Sequence, residues 1–593
     1  MSDDYFEDDD QQYSSFDWDV SKRFWGYLRP ERKKIYGALF ASLFSVVSSV
    51  LGPPIIGYAV DEGIQNRDLT IVGVGVAAYL VTQLIGAIGF RYQIFWMAEA
   101  GQRAIQKLRD DLFEHIQVLS ISFFTKYETG RLIARVISDV DTLRQAITFA
   151  VVGSFRDFLI LVGIVISMMI INLPLTAVAF GALVALIVVA NYWRIYARAS
   201  YLRVVETNAK VNAELSESFN GVRVTKAYDR EAYNYNRFTS HFNMNHRQSN
   251  VRASLIASLF FPSIELIGGV ATGLLIYVGG TLVLNEQLSV FTLLTFVLYI
   301  DQFFAPIRQL AQRYNMLQSV MAAGHKIFWL LDAPVEVRDE TDAVRLPTIS
   351  GHVKFENVRF AYDDGEEVLR DINLDIPAGT SVAFVGHTGA GKTTMIKLIQ
   401  RLYDITEGKL TIDGYDLHKI SQNSLRGQFG VVLQEPHLFS GTVMENIRYG
   451  RLDATDDEVI KAATDVGAHD FILRLENGYE TEVREGGSLL SAGQKQLISF
   501  ARALLADPRL LILDEATSNI DTQTEKIIQD ALEILLKGRT SFVIAHRLST
   551  ITSSNLIVVM DHGRIVEKGT HEELLALGGM YTSMYTMTDA FVD

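Results

Sequence analysis

The chain has 593 residues, a formal net charge of −15, 49% hydrophobic residues and a mean hydropathy of +0.16. That hydropathy is too high for an ordinary soluble protein and too low for one lying wholly in lipid, so a membrane half joined to a soluble half fits, with length for two or more domains. The absence of cysteine excludes disulfides, thiolate metal sites and cysteine nucleophiles, and the acidic balance disfavours nucleic acid as a partner.

The opening MSDDYFEDDDQQ is acidic, unlike a secretory signal or a basic transit peptide, and reads as a solvated tail. The short amphipathic stretch FDWDVSKRFWGYL follows, then the basic cluster Arg29, Arg32, Lys33 and Lys34. It is suited to lie along the inner membrane surface before the first span. Six apolar stretches come next, near Tyr36–Ile56, Ile71–Phe90, Phe149–Ile171, Leu173–Trp193, Phe260–Leu284 and Leu288–Gln309. Each, at about 20 residues, is long enough to cross the hydrocarbon core.

The links between these stretches alternate. Three are short and nearly free of positive charge. The two long ones carry Arg91, Arg103, Lys107, Arg109, Arg131 and Arg135, then Arg194, Arg198, Arg203, Lys210, Arg223 and Arg230. The positive-inside rule therefore puts the long links and both termini in the cytoplasm, with the chain in the plasma or inner membrane. Helical spacing continues into the long links, and a helix from Leu69 to Ser120 would measure roughly 75 Å, far more than a bilayer of about 30 Å. Arg156, Asp157, Glu265 and Asp301 interrupt the apolar runs. They read either as ion pairs holding the bundle or as the polar lining of a substrate cavity, whose excess of carboxylates hints at cationic amphiphiles.

The composition changes after the charged, proline-containing LDAPVEVRDETDAVRLP. Short β-rich runs such as VKFENVRFAY and SVAFVG alternate with helical segments, as in an α/β domain. SVAFVG leads into GHTGAGKTT, which fits G-x-x-x-x-G-K-[ST] in the strand–loop–helix setting that the motif requires. Backbone N–H groups around Gly389 and Gly391 would cradle phosphate oxygens, Lys392 would neutralise the outer phosphates, and Thr393 would hold Mg²⁺. In RLLILDEATSNID a buried parallel strand ends in two carboxylates. Asp514 is suited to Mg²⁺ through a water, and Glu515 to the water that attacks the γ-phosphate. Gln434, just past an apolar strand, can bond to Mg²⁺ or water, and His546, closing VIAH, can contact the γ-phosphate. LLSAGQKQLI, from Leu489, reads as a second anion-holding helix start, capped by Ser491.

At these residues the chain resembles the ATP-binding cassette (ABC) transporters, specifically exporters with six spans fused to one cassette, from about Lys22 to Thr588. The resemblance implies an α-helical six-span membrane domain followed by an α/β P-loop NTPase. Its divisions would be a tail and elbow helix over 1–31, a transmembrane domain over 32–330, a linker over 331–350 and a nucleotide-binding domain over 351–593. The cofactors implied are ATP and Mg²⁺.

By that resemblance Tyr362 stacks on adenine, and Gly386, His387, Thr388, Gly389, Ala390, Gly391, Lys392, Thr393 and Thr394 form Walker A. Gln434 is the Q-loop, and Ser491, Ala492, Gly493 and Gln494 belong to the signature. Leu510–Asp514 is Walker B, Glu515 the catalytic carboxylate, Ser518–Asp521 the D-loop and His546 the switch histidine. SFFTKYETGRLIARVISDVD resembles the family's first coupling-helix region, and NGVRVTKAYDRE the segment that follows the second. Two cassettes would pack head to tail, each ATP lying between Walker A of one and the signature of the other.

The chain would then be half of a dimer whose partner is a second half-transporter. LSAGQ in place of the usual LSGGQ, Arg484 and SNID, together with an intact Glu515, resemble the consensus-site subunit of a heterodimer; a homodimer is the alternative. The activity implied is ATP-driven export of amphiphilic small molecules, drugs or lipids, in contact with membrane lipid. A dedicated peptide or siderophore exporter and a nucleotide-gated channel or regulator are the alternatives.

Overall fold

The computed structural model describes residues 17–145, 152–362, 365–487, 489–514, 522–544 and 548–589, and the chain divides into two compact units. One comprises Phe6–Gln117 and Thr129–Ala333 and is helical. It begins with α1, Trp18–Leu28, whose cap Asp17 accepts from the Asp19 N–H at 2.7 Å; Val20 and Leu28 are buried while Trp18 and Trp25 stay exposed. The long helices follow: α2 (Arg32–Gln65), α3 (Leu69–Val118), α4 (Val152–Ile171), α5 (Leu173–Asn220), α6 (Met244–Leu284) and α7 (Val290–Asp332). The six apolar stretches of the sequence fall on these helices, except that Leu288 and Ser289 of the last precede α7; the first residues of the third, 149–151, lie outside the described residues. At 50 residues α3 is about 75 Å long at 1.5 Å per residue. Asn172 and Ser289 cap α5 and α7 from the short links.

Ile164, Met168, Leu175, Ile264, Leu275, Phe296 and Tyr299 form the core of this unit. Within it, Pro53 and Pro54 sit inside α2, where a proline supplies no N–H to the carbonyl four residues back. In lipid no water can replace that donor. The buried Tyr299 supplies one, its hydroxyl donating to the Val50 carbonyl at 2.7 Å and lying 2.7 Å from the Ser167 hydroxyl. Elsewhere the apolar faces are largely uncovered; along the most apolar part of α3 only 6% of residues are buried.

The other unit contains Val118–Glu128 and Pro334–Asp593. An antiparallel sheet runs β2 (Glu367–Ile376), β1 (Val353–Ala361), β4 (Glu407–Ile412), β5 (Tyr415–Asp416). A six-stranded sheet runs β12 (Arg564–Gly569), β11 (Leu556–Asp561), β3 (Ser381–Val385), β10 (Thr540–Ile544), β9 (Leu510–Asp514), β6 (Phe429–Val432), parallel throughout except for β12. Its central strands β11, β3, β10 and β9 are apolar on both faces, as strands covered on both sides must be, while the edge strand β12 is largely exposed. Ala383, Val385, Leu511, Leu513 and Val543 enter one core; Val382, Phe384, Leu510, Ile512 and Phe542 enter the other.

The segment after Pro334 is strapped onto this unit. Ser122 donates to Glu336, and the Ser120 hydroxyl accepts from the Val337 N–H at 2.9 Å. Asp413 then accepts from the N–H groups of Ser350, Gly351 and His352. Arg401, fully buried, pairs with Asp339 at 3.2 Å and Asp404 at 3.3 Å and donates to the Arg338 carbonyl. A buried guanidinium has to be satisfied on all sides, and here the strap supplies part of its shell.

Candidate functional site

The loop after β3 wraps back under the start of α8, Lys392–Ile399. Gly386 and Gly391 have φ of 155° and 102°. A Cβ at Gly386 would stand 2.2 Å from the Met560 carbonyl, and one at Gly391 would stand 2.7 Å from a Leu369 methyl. Only glycine fits at both. No side chain caps α8, so its first N–H groups remain available to an anion, while within the loop the Ala390 N–H donates to the His387 carbonyl at 3.1 Å. Lys392 Nζ donates to the Gly386 carbonyl at 2.7 Å and the His387 carbonyl at 3.0 Å, and burial holds its pKa below the ordinary lysine value. A half-buried cation over a backbone cradle, with no carboxylate partner among the described residues, suits a polyphosphate, so these residues fit the triphosphate of ATP. Thr393 is exposed at the second residue of α8, while Thr394 is buried with its hydroxyl 3.0 Å from that of Tyr362.

The parallel register brings the remaining candidates to the same edge. β10 lies between β3 and β9, with Ile544 opposite both Phe384 and Asp514, and Val432 of β6 lies opposite Leu513. The phosphate loop, Asp514 and Gln434 therefore all leave the carboxyl end of one sheet, where ligands of open α/β sheets bind. At roughly 4.8 Å per strand, β9 stands about 10 Å from β3, a span a phosphate with its metal ion can bridge. Among the described residues no group of three His, Asp or Glu is arranged to hold a metal. A Mg²⁺ here would take Thr393, Asp514 and Gln434 together with nucleotide oxygens and water. Glu515, His546 and the D-loop positions Ser518–Asp521 lie outside the described residues.

The second anion-holding start is α9, Ala492–Leu505. Ser491 Oγ accepts from the Gln494 N–H at 3.3 Å and Gln494 Oε1 accepts from the Ser491 N–H at 2.9 Å, a reciprocal capping box. Ser491 and Ala492 are exposed and Gly493 is buried. Leu497, Ile498 and Phe500 of α9 enter one core of the sheet, whereas Met395, Ile396 and Leu398 of α8 enter the other. The two helices thus flank opposite faces, and one cassette does not present both to one phosphate chain.

In the helical unit Arg156 and Asp157 are brought together, 3.3 Å apart, with Asp157 buried and the Arg156 guanidinium 4.8 Å from the Phe90 ring centre. That arrangement is a bundle contact between α4 and α3. Glu265 and Asp301 are exposed on α6 and α7, and among the described residues no ion pair joins either to Arg156 or Asp157.

Sequence reasoning missed two parts of the site. Tyr403 packs edge-on against Tyr362, ring centres 5.1 Å apart, with Lys397 Nζ within 6 Å of both rings. The tyrosine expected to stack on adenine is therefore one of a pair; the signal was the RLY that follows α8. Gly563 braces the phosphate loop from behind, its N–H donating to the Ala390 carbonyl at 3.3 Å, a contact that no spacing announces.

Comparison with known proteins is consistent with both units. Residues 35–307 match the ABC transporter transmembrane region, and residues 369–518 match the ABC transporter family. An uncharacterised ABC transporter ATP-binding protein of Bacillus subtilis, YknV, is 40% identical over 98% of this chain and 96% of its own length. An ATP-dependent lipid A-core flippase of Desulfotalea psychrophila is 37% identical over 96% of this chain and 99% of its own. Among solved structures, a bacterial Atm1-family ABC exporter with ATP bound superposes with a TM-score of 0.79 at 29% identity, covering 94% of this chain and 98% of that one.

Proposed function

The chain belongs to the ABC transporters, an exporter half-transporter whose cassette couples ATP hydrolysis to transport, and on that premise we propose that it exports amphiphilic small molecules, lipids or drugs, by alternating access. The observation that carries this reading is the split site: a phosphate cradle on one face of the sheet and a capped signature helix on the other. Each half needs the complement that a second cassette would bring, so ATP becomes the link that closes two half-transporters. Hydrolysis reopens them, and the membrane helices follow as a two-state element.

In this reading Lys392 and the loop hold the β- and γ-phosphates, and Tyr362 with Tyr403 holds the base. Thr393, Asp514 and Gln434 hold Mg²⁺, and Ser491 to Gln494 serve the partner's nucleotide. Glu515 polarises the attacking water and His546 steadies the γ-phosphate. Relatives named for lipid A-core support a lipid-like cargo. The long links and both termini are cytoplasmic in this orientation.

The partner we infer is a different half-transporter, because Ala492 places a methyl on the exposed first turn where glycine is usual, next to an otherwise complete catalytic set. A chain that purifies alone as an active dimer overturns that part. For the function as a whole, the full-length dimer is placed in proteoliposomes and ATPase is measured with labelled lipid release. Glu515→Gln should retain ATP binding and lose on the order of a hundredfold in turnover, with transport falling in parallel. ATP-dependent permeation that persists in that variant would instead favour a nucleotide-gated channel.

A further inference from the structure

α5 and α6 pack along each other and, beyond their apolar stretches, form with the turn before α6 an open groove of about 540 Å³ whose lining includes the exposed Arg203, Glu206, Lys210, His241, Gln248 and Arg252. Lys210 donates to Glu206 at 2.6 Å, so those two charges offset each other along α5. Arg203 and Arg252, one from each helix, have no carboxylate within 4 Å among the described residues. The wall beside them is already ordered: His246 bridges Thr207 at 3.2 Å and Asn250 at 2.9 Å. Two planar guanidinium forks beside an amide and a histidine match a phosphate better than a single point charge does.

The position narrows the source of that phosphate. Trp193 Nε1 donates to the Ile256 carbonyl at 3.0 Å and ties α5 to α6 between the groove and the apolar stretches, with Tyr192 and Tyr196 exposed. Such aromatic rings mark the bilayer interface. At 1.5 Å per residue, Arg203 lies about 15 Å beyond Trp193 and Arg252 about 12 Å before Phe260. Side chains lean toward the N-terminus of their helix, which carries the Arg203 head back toward the bilayer and the Arg252 head, on the antiparallel α6, the opposite way.

We propose that this groove binds a phosphate-bearing anion, the headgroup of an anionic lipid gathered at the inner face. The inference rests on the export reading for its orientation and names the cargo class as anionic, against the cationic class hinted at by Glu265 and Asp301. The test is native mass spectrometry of the full chain in detergent with dioleoyl phosphatidic acid, dioleoyl phosphatidylcholine or inorganic phosphate as probe.

Phosphatidic acid should bind more tightly than phosphatidylcholine, and Arg203→Gln with Arg252→Gln should weaken it about thirtyfold, at ~1 kcal/mol per cation. Glu206→Gln, which frees Lys210, should strengthen it about fivefold, a gain that misfolding does not produce. Inorganic phosphate displacing the lipid at equal affinity keeps the anion site and assigns it to soluble phosphates. Equal binding of both lipids, or affinity for phosphatidic acid unmoved in the double variant, overturns the proposal. No step uses ATP or transport, so failure here leaves the export reading standing.

Discussion

The two helix starts of the cassette solve one problem in opposite ways. α8 is entered through left-handed glycines, has no side-chain cap, and sits behind a loop that can wrap an anion from several sides. α9 is entered through a serine and closes on itself by a reciprocal Ser491–Gln494 box, leaving a short exposed turn. The first encloses and the second presents. An enclosing site can bind a nucleotide within one chain, whereas a presenting site gains its purpose only when a phosphate is delivered to it. On the proposed reading, binding and turnover are thereby separated between two elements.

Variants can break that comparison. The largest effect is expected for Lys392→Ala, which removes the only cation of the cradle; ATP binding to the isolated chain should fall by on the order of a hundredfold, read by fluorescent-nucleotide titration. Gly386→Ala comes next. Its methyl meets the Met560 carbonyl in a backbone region that alanine avoids, so the cassette should lose about 3 kcal/mol, visible as a lowered unfolding midpoint.

Ser491→Ala sharpens the contrast, since it should cost about 1 kcal/mol of stability and depress ATPase while nucleotide binding to one chain stays unchanged. Loss of single-chain binding in that variant would erase the distinction between the two starts. The smallest effect concerns protons. Burial lowers the Lys392 pKa, so the empty site loses its proton earlier than an ordinary lysine as pH rises, whereas phosphate favours the charged form. Nucleotide binding should therefore take up a proton increasingly toward alkaline pH, and affinity should fall there. Titration calorimetry in buffers of different ionisation enthalpy measures this.

How far the sequence could be read depended on the range of each contact. The capping box is an i, i+3 pattern, so Ser491 and Gln494 were legible as neighbours. The phosphate loop needs glycines at fixed offsets along one turn, and they stand there. The spans follow from about 20 apolar residues each. Tyr403 beside Tyr362, by contrast, requires the end of α8 to return beneath β1, and Tyr299 beneath Val50 requires two distant helices in one register. The four intramembrane charges divided for the same reason: Arg156 and Asp157 found each other across one peptide, while Glu265 and Asp301 kept separate exposed faces.

By itself, the sequence determined the two-part architecture, the family, the glycine pattern of the loop after β3 and the Ser491–Gln494 cap, because hydropathy, capping and loop glycines act over a few residues. Only the tertiary structure decided that α8 and α9 flank opposite faces of one sheet, that Arg401 ties the strap to the cassette, and that Arg203 and Arg252 share a groove. Those outcomes depend on which faces of distant elements pack together, and packing register is set by the whole core rather than by any local run of residues.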